Sequence, residues 1–470
     1  MPIIQFSGLA SGIDGKAITD AMIEAKRLAS IPLENKVAIN DAENEALEEF
    51  NTKLLSLNTI VNDFLTLAGG AIEKQASSSN EDAVRAVASS NAGTASTTIN
   101  VLNLARTATI SFDDRFAGPD AKVAPGLVGT GTLSITVGVG DAQQTVDISV
   151  TNQTTLEELV AKISDALPGK VQGSFVNAGT ETSPEYVMLI QGLESGVDLG
   201  TLSVTASPEL AGAGVFQSQN VVQAEDALIE IAGIGQVRRP KNQINNLLPG
   251  VSLDLKQAGT GAVTIGVSTD SSATAKKVAD MVAAFNDIVK YSDENDTIER
   301  VEDEEGANNV FGSLARTRVD DQAIDALRRA LADAQSGIPD SSVQTMADLG
   351  ITTERDGTLK FDETKFSQAI GQNAGAVESL LQRFSDRVGT SNGVIANYTR
   401  FNGLVDMAVN ANNTETESIN ARLQRLEANL ARQREGLERI FANLESTVGR
   451  LNNDSSALVS LISGGGVQQR

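Results

Sequence analysis

The sequence feature that most constrains the fold is a heptad repeat in the last sixty residues. Apolar residues recur there at alternating steps of four and three, which predicts one helix over about 416–462. Such a helix would be roughly 70 Å long at 1.5 Å per residue, and its narrow apolar stripe requires a partner helix. The stripe consists of Ile419, Leu423, Leu426, Leu430, Gln433, Leu437, Ile440, Leu444, Thr447 and Leu451.

A second heptad pattern near the other end of the chain provides the candidate partner. Its positions are Leu47, Phe50, Leu54, Leu57, Val61, Phe64 and Ala68, in a predicted helix that begins at Pro32. A shorter helix over 15–29 precedes it, with Asp14 as the predicted N-cap and Ile18 and Met22 on one face. The two ends of the chain are therefore predicted to form a long antiparallel coiled coil.

The middle of the chain has the period-two pattern of β-strands. Leu133, Ile135, Val137 and Val139 alternate with small or polar residues, and a second alternation at Val146, Ile148 and Val150 predicts a hairpin. A helix over 156–167 follows, with a capping box at Thr154 and Glu157. Further strands are predicted at 227–231, 251–255 and 263–267, whereas QASSSN, residues 75–80, is predicted to be a linker.

Helical patterns return from residue 271. The acidic stretch 292–305 is predicted to be a solvated loop or helix end, and a further helix is predicted over 320–334. A hairpin turn is expected at Asp356-Gly357, and Asp362 is expected to cap the helix that follows.

The predicted fold class is therefore α+β and multidomain, with coiled-coil helices from both termini and two inserted β-rich modules. Four domains follow from this organisation. They are a terminal coiled-coil leg domain (1–40 with 430–470), a helical domain (41–75 with 271–429), a β-rich module (76–127 with 215–270) and an inserted outer α+β module (128–214).

Composition excludes several kinds of chemistry. The chain has no cysteine and no histidine, so disulfides, thiolate nucleophiles, histidine bases and ordinary zinc sites are not expected. Its formal net charge of −24 disfavours nucleic acid and anionic membranes as partners. No segment reaches the roughly 20 apolar residues of a membrane span, and the amino terminus lacks the pattern of a cleaved signal peptide. These features alone indicate a cytoplasmic protein.

The motifs that could bind ligands are incomplete. GLASGIDG, residues 8–15, fits neither GxGxxG nor a P-loop, and the acidic run fails as an EF-hand at Thr297 and Ile298. We therefore predict no catalytic residues, no cofactor and no metal. The heptad stripes fit an intramolecular helical hairpin, contacts between subunits, or both. The predicted assembly interface comprises Ile18, Met22, Leu47, Leu54, Leu57, Val61, Leu423, Leu426, Leu430, Leu437, Ile440, Leu444 and Leu451.

Three separated motifs resemble the flagellar filament cap family, also called hook-associated protein 2. The start FSGLASGIDG is similar to the family's G-L-x-S-G-[LI]-D element, and Pro32 follows in the expected place. NQINNLLPGVSLDL, residues 242–255, resembles the family's strand before the return helix. LGITTERDGTLKFD, residues 349–362, resembles its hairpin. The chain departs from the family at its end, ISGGGVQQR, which is glycine-rich and polar.

The resemblance implies a secreted structural protein at the filament tip and revises the cytoplasmic prediction. It implies type III export through an uncleaved amino-terminal segment, with a cytoplasmic export chaperone. It also implies a homo-oligomeric ring of several copies that promotes folding and insertion of flagellin, next to a hook–filament junction protein in the assembly. Some members are further proposed to have an adhesion role through their middle modules.

Two alternative functions fit the residues. Another axial flagellar protein, such as flagellin or a hook–filament junction protein, would share the helical ends and inserted β modules, but a filament former should polymerise without limit. A carboxylate-dependent cell-wall glycosidase would need two carboxylates that converge in a cleft of the β modules.

Overall fold

The structure is a computed structural model that describes residues 12, 14–65, 69–303, 306–339 and 341–464. Gly8, Leu9, Ser11, Ile13, Ala68 and the last six residues, which the sequence analysis used, lie outside this range. The chain divides into a helical unit, Met1–Leu65 with Ala275–Arg470, and a β-rich unit, Thr66–Thr274. The four predicted domain boundaries remain predictions.

The helices confirm the predicted arrangement of long helices at both ends of the chain. A 3₁₀ turn, Leu28–Ser30, joins the first two helices. The helices are α1 Gly15–Arg27, α2 Ile31–Asn62, α3 Leu156–Ala166, α4 Val197–Gly200, α5 Pro208–Gly212, α6 Ser271–Asn295, α7 Val319–Asp333, α8 Glu363–Gly389, α9 Val394–Thr399 and α10 Leu404–Gly464.

The strands confirm the predicted β-rich middle. Strands β1 to β15 belong to the β-rich unit, and β16 to β19 form two hairpins in the helical unit. The strands are β1 Lys74–Ser78, β2 Val84–Ala88, β3 Ala95–Asn103, β4 Thr107–Phe112, β5 Thr130–Val137, β6 Gln144–Thr151, β7 Val171–Asn177, β8 Tyr186–Ser195, β9 Leu202–Ala206, β10 Gln219–Val222, β11 Ala227–Ile231, β12 Gly235–Arg239, β13 Gln243–Leu248, β14 Val251–Leu255, β15 Ala262–Thr269, β16 Ile298–Asp303, β17 Gly306–Phe311, β18 Ile351–Thr353 and β19 Leu359–Phe361.

Two apolar cores stabilise the β-rich unit. One lies between the sheets with strand orders β10-β4-β8-β7 and β6-β5-β9, and α3 covers it with Leu156, Leu159 and Ile163. The other lies between the sheets with strand orders β1-β15-β3-β11-β12 and β13-β14-β2. The predicted hairpin of β5 and β6 is confirmed, with Leu133 opposite Ile148. Alternate residues of each strand point inward, so period-two apolar patterns produce these cores.

Three local predictions are wrong. Residues of the supposed linker form β1, which pairs with β15 through Ala76 opposite Val267. The acidic stretch ends α6 at Asn295, as predicted, but its residues Ile298–Asp303 form β16, which pairs with β17, instead of a loop. The cap of α3 is Thr155, whose side chain accepts a hydrogen bond from the Glu158 backbone N–H, because Thr154 is occupied in the preceding turn, where its Oγ1 accepts from Thr151.

The caps predicted for two other helices are confirmed. The Asp14 side chain accepts hydrogen bonds from the backbone N–H groups of Lys16 and Ala17, both at 3.1 Å, and so begins α1. The Asp362 side chain accepts from the Lys365 N–H at 3.0 Å and begins α8. Each cap satisfies N–H groups that have no partner within the helix.

A buried carboxyl links α6 to α7 at the base of the acidic hairpin. Asp320 is 1% exposed, and its Oδ2 accepts a hydrogen bond of 2.5 Å from Ser292 Oγ. Its Oδ1 has no hydrogen-bond partner in the part of the chain that the structure describes. Burial raises the pKa of Asp320, the Ser292 hydrogen bond lowers it, and the charge of Asp321 raises it again.

This carboxyl makes the stability of the helical unit depend on pH. A pKa that is raised in the folded state means that the folded chain binds more protons than the unfolded chain above pH 3.8. The stabilising contribution of Asp320 to the free energy of unfolding is therefore fully present below the pKa that this carboxyl has in the unfolded chain. It is lost as the pH rises through the pKa of the folded chain. The side chain of Asp320→Asn cannot ionise, so the stability of this variant should no longer fall as the pH rises through the folded pKa of Asp320.

Urea unfolding of both proteins between pH 4 and pH 8 tests this prediction. Asp280→Asn is the matched control, because Asp280 is exposed on α6 and its replacement makes the same chemical change away from Asp320. If the difference between wild type and Asp320→Asn stays constant across the pH range, the buried carboxyl is not the source of the dependence.

Candidate functional site

The helices at the two ends of the chain lie antiparallel, and ion pairs between them mark the direction. Arg434 pairs with Asp20, Arg27 Nε lies 3.5 Å from Glu427, and Lys36 Nζ lies 3.3 Å from Glu415. Residue numbers thus fall along α10 as they rise along α1 and α2. These exposed pairs each contribute little free energy, but they are consistent with a single register.

A layer of asparagines interrupts the apolar stripe between α2 and α10. Asn40 is fully buried, and its Nδ2 donates to Glu415 and to Thr416 Oγ1, each at 3.2 Å. Asn44 exchanges hydrogen bonds with Asn412 and Asn413 on the same layer. A buried amide that finds partners in only one alignment fixes the register of a helix pair at a cost in stability. This layer was not predicted from the sequence.

The predicted interface residues on α2 lie inside the protomer. Leu47, Leu54, Leu57 and Val61 are each at most 1% exposed. Leu430 on α10 is also buried, at 4%. These side chains stabilise the helical unit itself, so a role between copies would require the unit to open.

The rest of the predicted set lies toward the free end of the helix pair. Leu423, Leu426 and Leu437 are half-buried on α10. Ile440, Leu444 and Leu451 are 60%, 41% and 62% exposed, and on α1 Ile18 and Met22 are 40% and 43% exposed. We call Ile18, Met22, Ile440, Leu444 and Leu451 the leg patch.

Leu444 and Leu451 are exposed because α10 continues past the start of α1. Gly15 lies against Phe441, and a Cβ at Gly15 would come within 2.8 Å of that side chain. Glycine is therefore needed where the two helices first meet. Beyond this point every residue from 451 to 460 is exposed, and Leu458 and Val459, at 59% and 60%, extend the apolar surface. Leu458 continues the heptad spacing, a signal that the sequence analysis did not follow.

An exposed apolar turn lies at the other end of α10. Phe401, in the turn between α9 and α10, is 87% exposed. Isolated exposed apolar residues are ordinary, and one phenylalanine in a loop has no periodicity, so the sequence analysis did not select it.

One carboxyl group of the β-rich unit, that of Asp114, has a raised pKa and is partly buried. Burial raises the pKa of Asp114, whose Oδ2 accepts a hydrogen bond of 2.9 Å from the Phe216 N–H. Phe216 has a positive φ of 58° and packs edge-on against Phe112. Asp114 therefore stabilises a strained turn over an apolar core.

No group of three or more acidic side chains in the described ranges is arranged to hold a metal ion. Among the same residues, no helix is both long enough and apolar enough to cross a membrane.

Comparisons with known proteins identify one family. The family model of the flagellar hook-associated protein 2 N-terminus matches residues 11–108, and that of its C-terminus matches residues 224–453. The A-type flagellar hook-associated protein 2 of Pseudomonas aeruginosa is 24% identical over 486 residues, covering 97% of this chain and 98% of the relative. Flagellar hook-associated protein 2 of Escherichia coli K12 is 26% identical over 484 residues, with the same coverage.

A solved structure has the same fold. The crystal structure of the flagellar cap protein FliD D1-D2-D3 domains from Escherichia coli aligns with a TM-score of 0.60 at 21% identity. The alignment covers 80% of this chain and 99% of that chain.

Proposed function

Because the chain belongs to the flagellar hook-associated protein 2 family, we propose that it is a structural protein that caps the distal end of the bacterial flagellar filament, outside the cell. The observation that carries the proposal is the match of both family models in order. The matched ranges lie on the long terminal helices and on the strands next to them. The family resemblance further supports flagellin as the protein whose insertion the cap promotes.

The leg patch supports assembly of several copies into a ring. Exposed leucine, isoleucine and methionine side chains on helices of an acidic chain are costly unless a partner covers them. The chain lacks cysteine, so copies must be held together by noncovalent contacts. On the family resemblance alone we propose three further partners: the hook–filament junction protein, the export apparatus and its chaperone. An adhesion role of the β-rich unit is proposed on the same basis.

Two measurements on the full-length chain test the proposal. Light scattering across a wide concentration range should give a discrete oligomer of a few copies that is reached and not exceeded. Expression in a flagellated strain without its own cap protein should restore filaments, whereas an empty vector should not. Open-ended growth in mass would identify a filament subunit instead, and an oligomer that fails to restore filaments would refute the capping role.

A further inference from the structure

The turn that presents Phe401 is fixed by hydrogen bonds on both sides. The Gly403 N–H donates to the Arg400 carbonyl at 2.7 Å, and the Asn402 N–H donates to Asp406 Oδ2 at 2.8 Å. Asn402 has a φ of 57°. A Cβ on Gly403 would lie 2.6 Å from the Tyr398 carbonyl oxygen, so only glycine fits there. An exposed aromatic ring on such a turn loses little conformational freedom when a partner binds.

Other exposed apolar side chains surround this turn. Met407 is 58% exposed and Leu404 is 37% exposed on the first turn of α10. Aromatic residues and methionine are enriched at the centres of protein interfaces. We call Phe401, Leu404 and Met407 the turn patch.

A cavity of about 250 Å³ lies beside Phe401. Tyr398, Val405 and Val409 provide apolar walls, and Asn51 lines it from α2. Asn51 Oδ1 is buried and has no hydrogen-bond partner among the described residues. A buried carbonyl oxygen without a donor costs about 1–3 kcal/mol, so the cavity suits a group that brings an apolar body and an N–H donor.

The charges at the rim favour a second copy of the chain as the occupant. Arg400 and the carboxylates Glu48 and Asp406 line the cavity, and no ion pair within the described ranges involves any of the three. Two copies that each carry a charge of −24 repel one another across most faces. This rim holds both signs, so Arg400 of one copy can face Glu48 of another.

We propose that Phe401 of one copy docks into this cavity of a second copy, with Arg400 paired to Glu48 of that copy. The inference rests on the proposed assembly of several copies and assigns a contact that lies outside the leg patch. The Arg400 guanidinium has five N–H donors, so it can also donate to Asn51 Oδ1, which lies one helical turn from Glu48 on α2.

Three variants of the full-length chain test this contact by light scattering. Phe401→Ala should weaken association at least tenfold, because it removes the apolar anchor, whereas Phe311→Ala, at a ring 42% exposed in the wild type, should leave association unchanged. Arg400→Glu alone should weaken association, and Arg400→Glu combined with Glu48→Arg should restore it, because every interface then regains an opposite pair.

A photo-crosslinking residue, p-benzoylphenylalanine, at position 401 identifies the occupant directly. The expected product is a covalent dimer whose cross-linked peptide contains residues of α2 or α10 near the cavity. If Phe401→Ala retains the wild-type mass and position 401 forms no dimer, the docking is refuted while the assembled cap stands. If the wild type remains a monomer at every concentration, the proposed assembly fails as well. If position 401 cross-links only to other proteins, the proposal that a second copy occupies the cavity is refuted.

Discussion

Replacing Phe50 by alanine should destabilise the helical unit by about 3–5 kcal/mol, because it deletes a fully buried ring and leaves a cavity. Phe50 is 0% exposed in the middle of α2. Its heptad neighbours Leu47, Leu54 and Leu57 are buried with it, so little can move in to fill the space. Since domains are typically stable by only 5–15 kcal/mol, a loss of this size exposes much of the unit to local unfolding.

Hydrogen exchange measured by mass spectrometry distinguishes the two units in this experiment. Peptides from α2 and α8 should exchange much faster in Phe50→Ala, while peptides from β5 and β8 should keep their protection. The matched control is Phe401→Ala, the same chemical change at a ring 87% exposed, studied at concentrations where the chain is monomeric. The control should change stability by no more than about 0.5 kcal/mol. Equal effects of the two variants would contradict the assignment of Phe50 to the core.

The heptad pattern predicted α2 and α10 because burial and local periodicity agree there. Six of the seven positions from Leu47 onward are described, and all six are at most 1% exposed. The start of α10 was placed at about 416 instead of Leu404, because residues 404–415 are rich in asparagine and threonine. The contacts of the asparagine layer with α2 stabilise this part of the helix. Helix propensities of single residues do not include such tertiary contacts.

The strands that were missed gain their stability from pairing, not from their own residues. In β1 the serines and Gln75 carry no apolar alternation, and the strand forms because β15 supplies backbone hydrogen bonds along its length. β16 has four charged residues among its six, and within the described residues β16 and β17 pair with no other strand. Composition does not predict the backbone conformation of either segment.

The residues of the candidate site were predicted only where they continue the heptad spacing of a helix. The leg patch residues were selected from the heptads, but the sequence could not show which of them are covered. Leu430 and Leu444 occupy equivalent stripe positions, yet one is 4% and the other 41% exposed, because α1 begins beside Phe441. The turn patch depends on a fixed turn and an adjacent cavity, and neither has a sequence period.

Replacing both Leu444 and Leu451 by aspartate should abolish assembly without unfolding the monomer. Both side chains are exposed on α10, at 41% and 62%, so their loss costs little in the isolated chain. In an assembled ring each buried leucine contributes about 1.5–3 kcal/mol, so two aspartates should weaken association well over tenfold. Light scattering should then report a monomer, thermal unfolding should match the wild type, and the variant should not restore filaments in a strain without its cap.

The control carries the same two charges on the same helix but off the apolar stripe. Ser446→Asp with Asn453→Asp places both aspartates at exposed positions, so it reproduces the change in net charge. The control variant, Ser446→Asp with Asn453→Asp, should assemble and restore filaments. If both double variants assemble normally, the leg patch does not join copies, and the interface must be sought at the turn patch. If both fail, added negative charge on an already acidic leg is sufficient to block assembly, and the apolar stripe has no specific role.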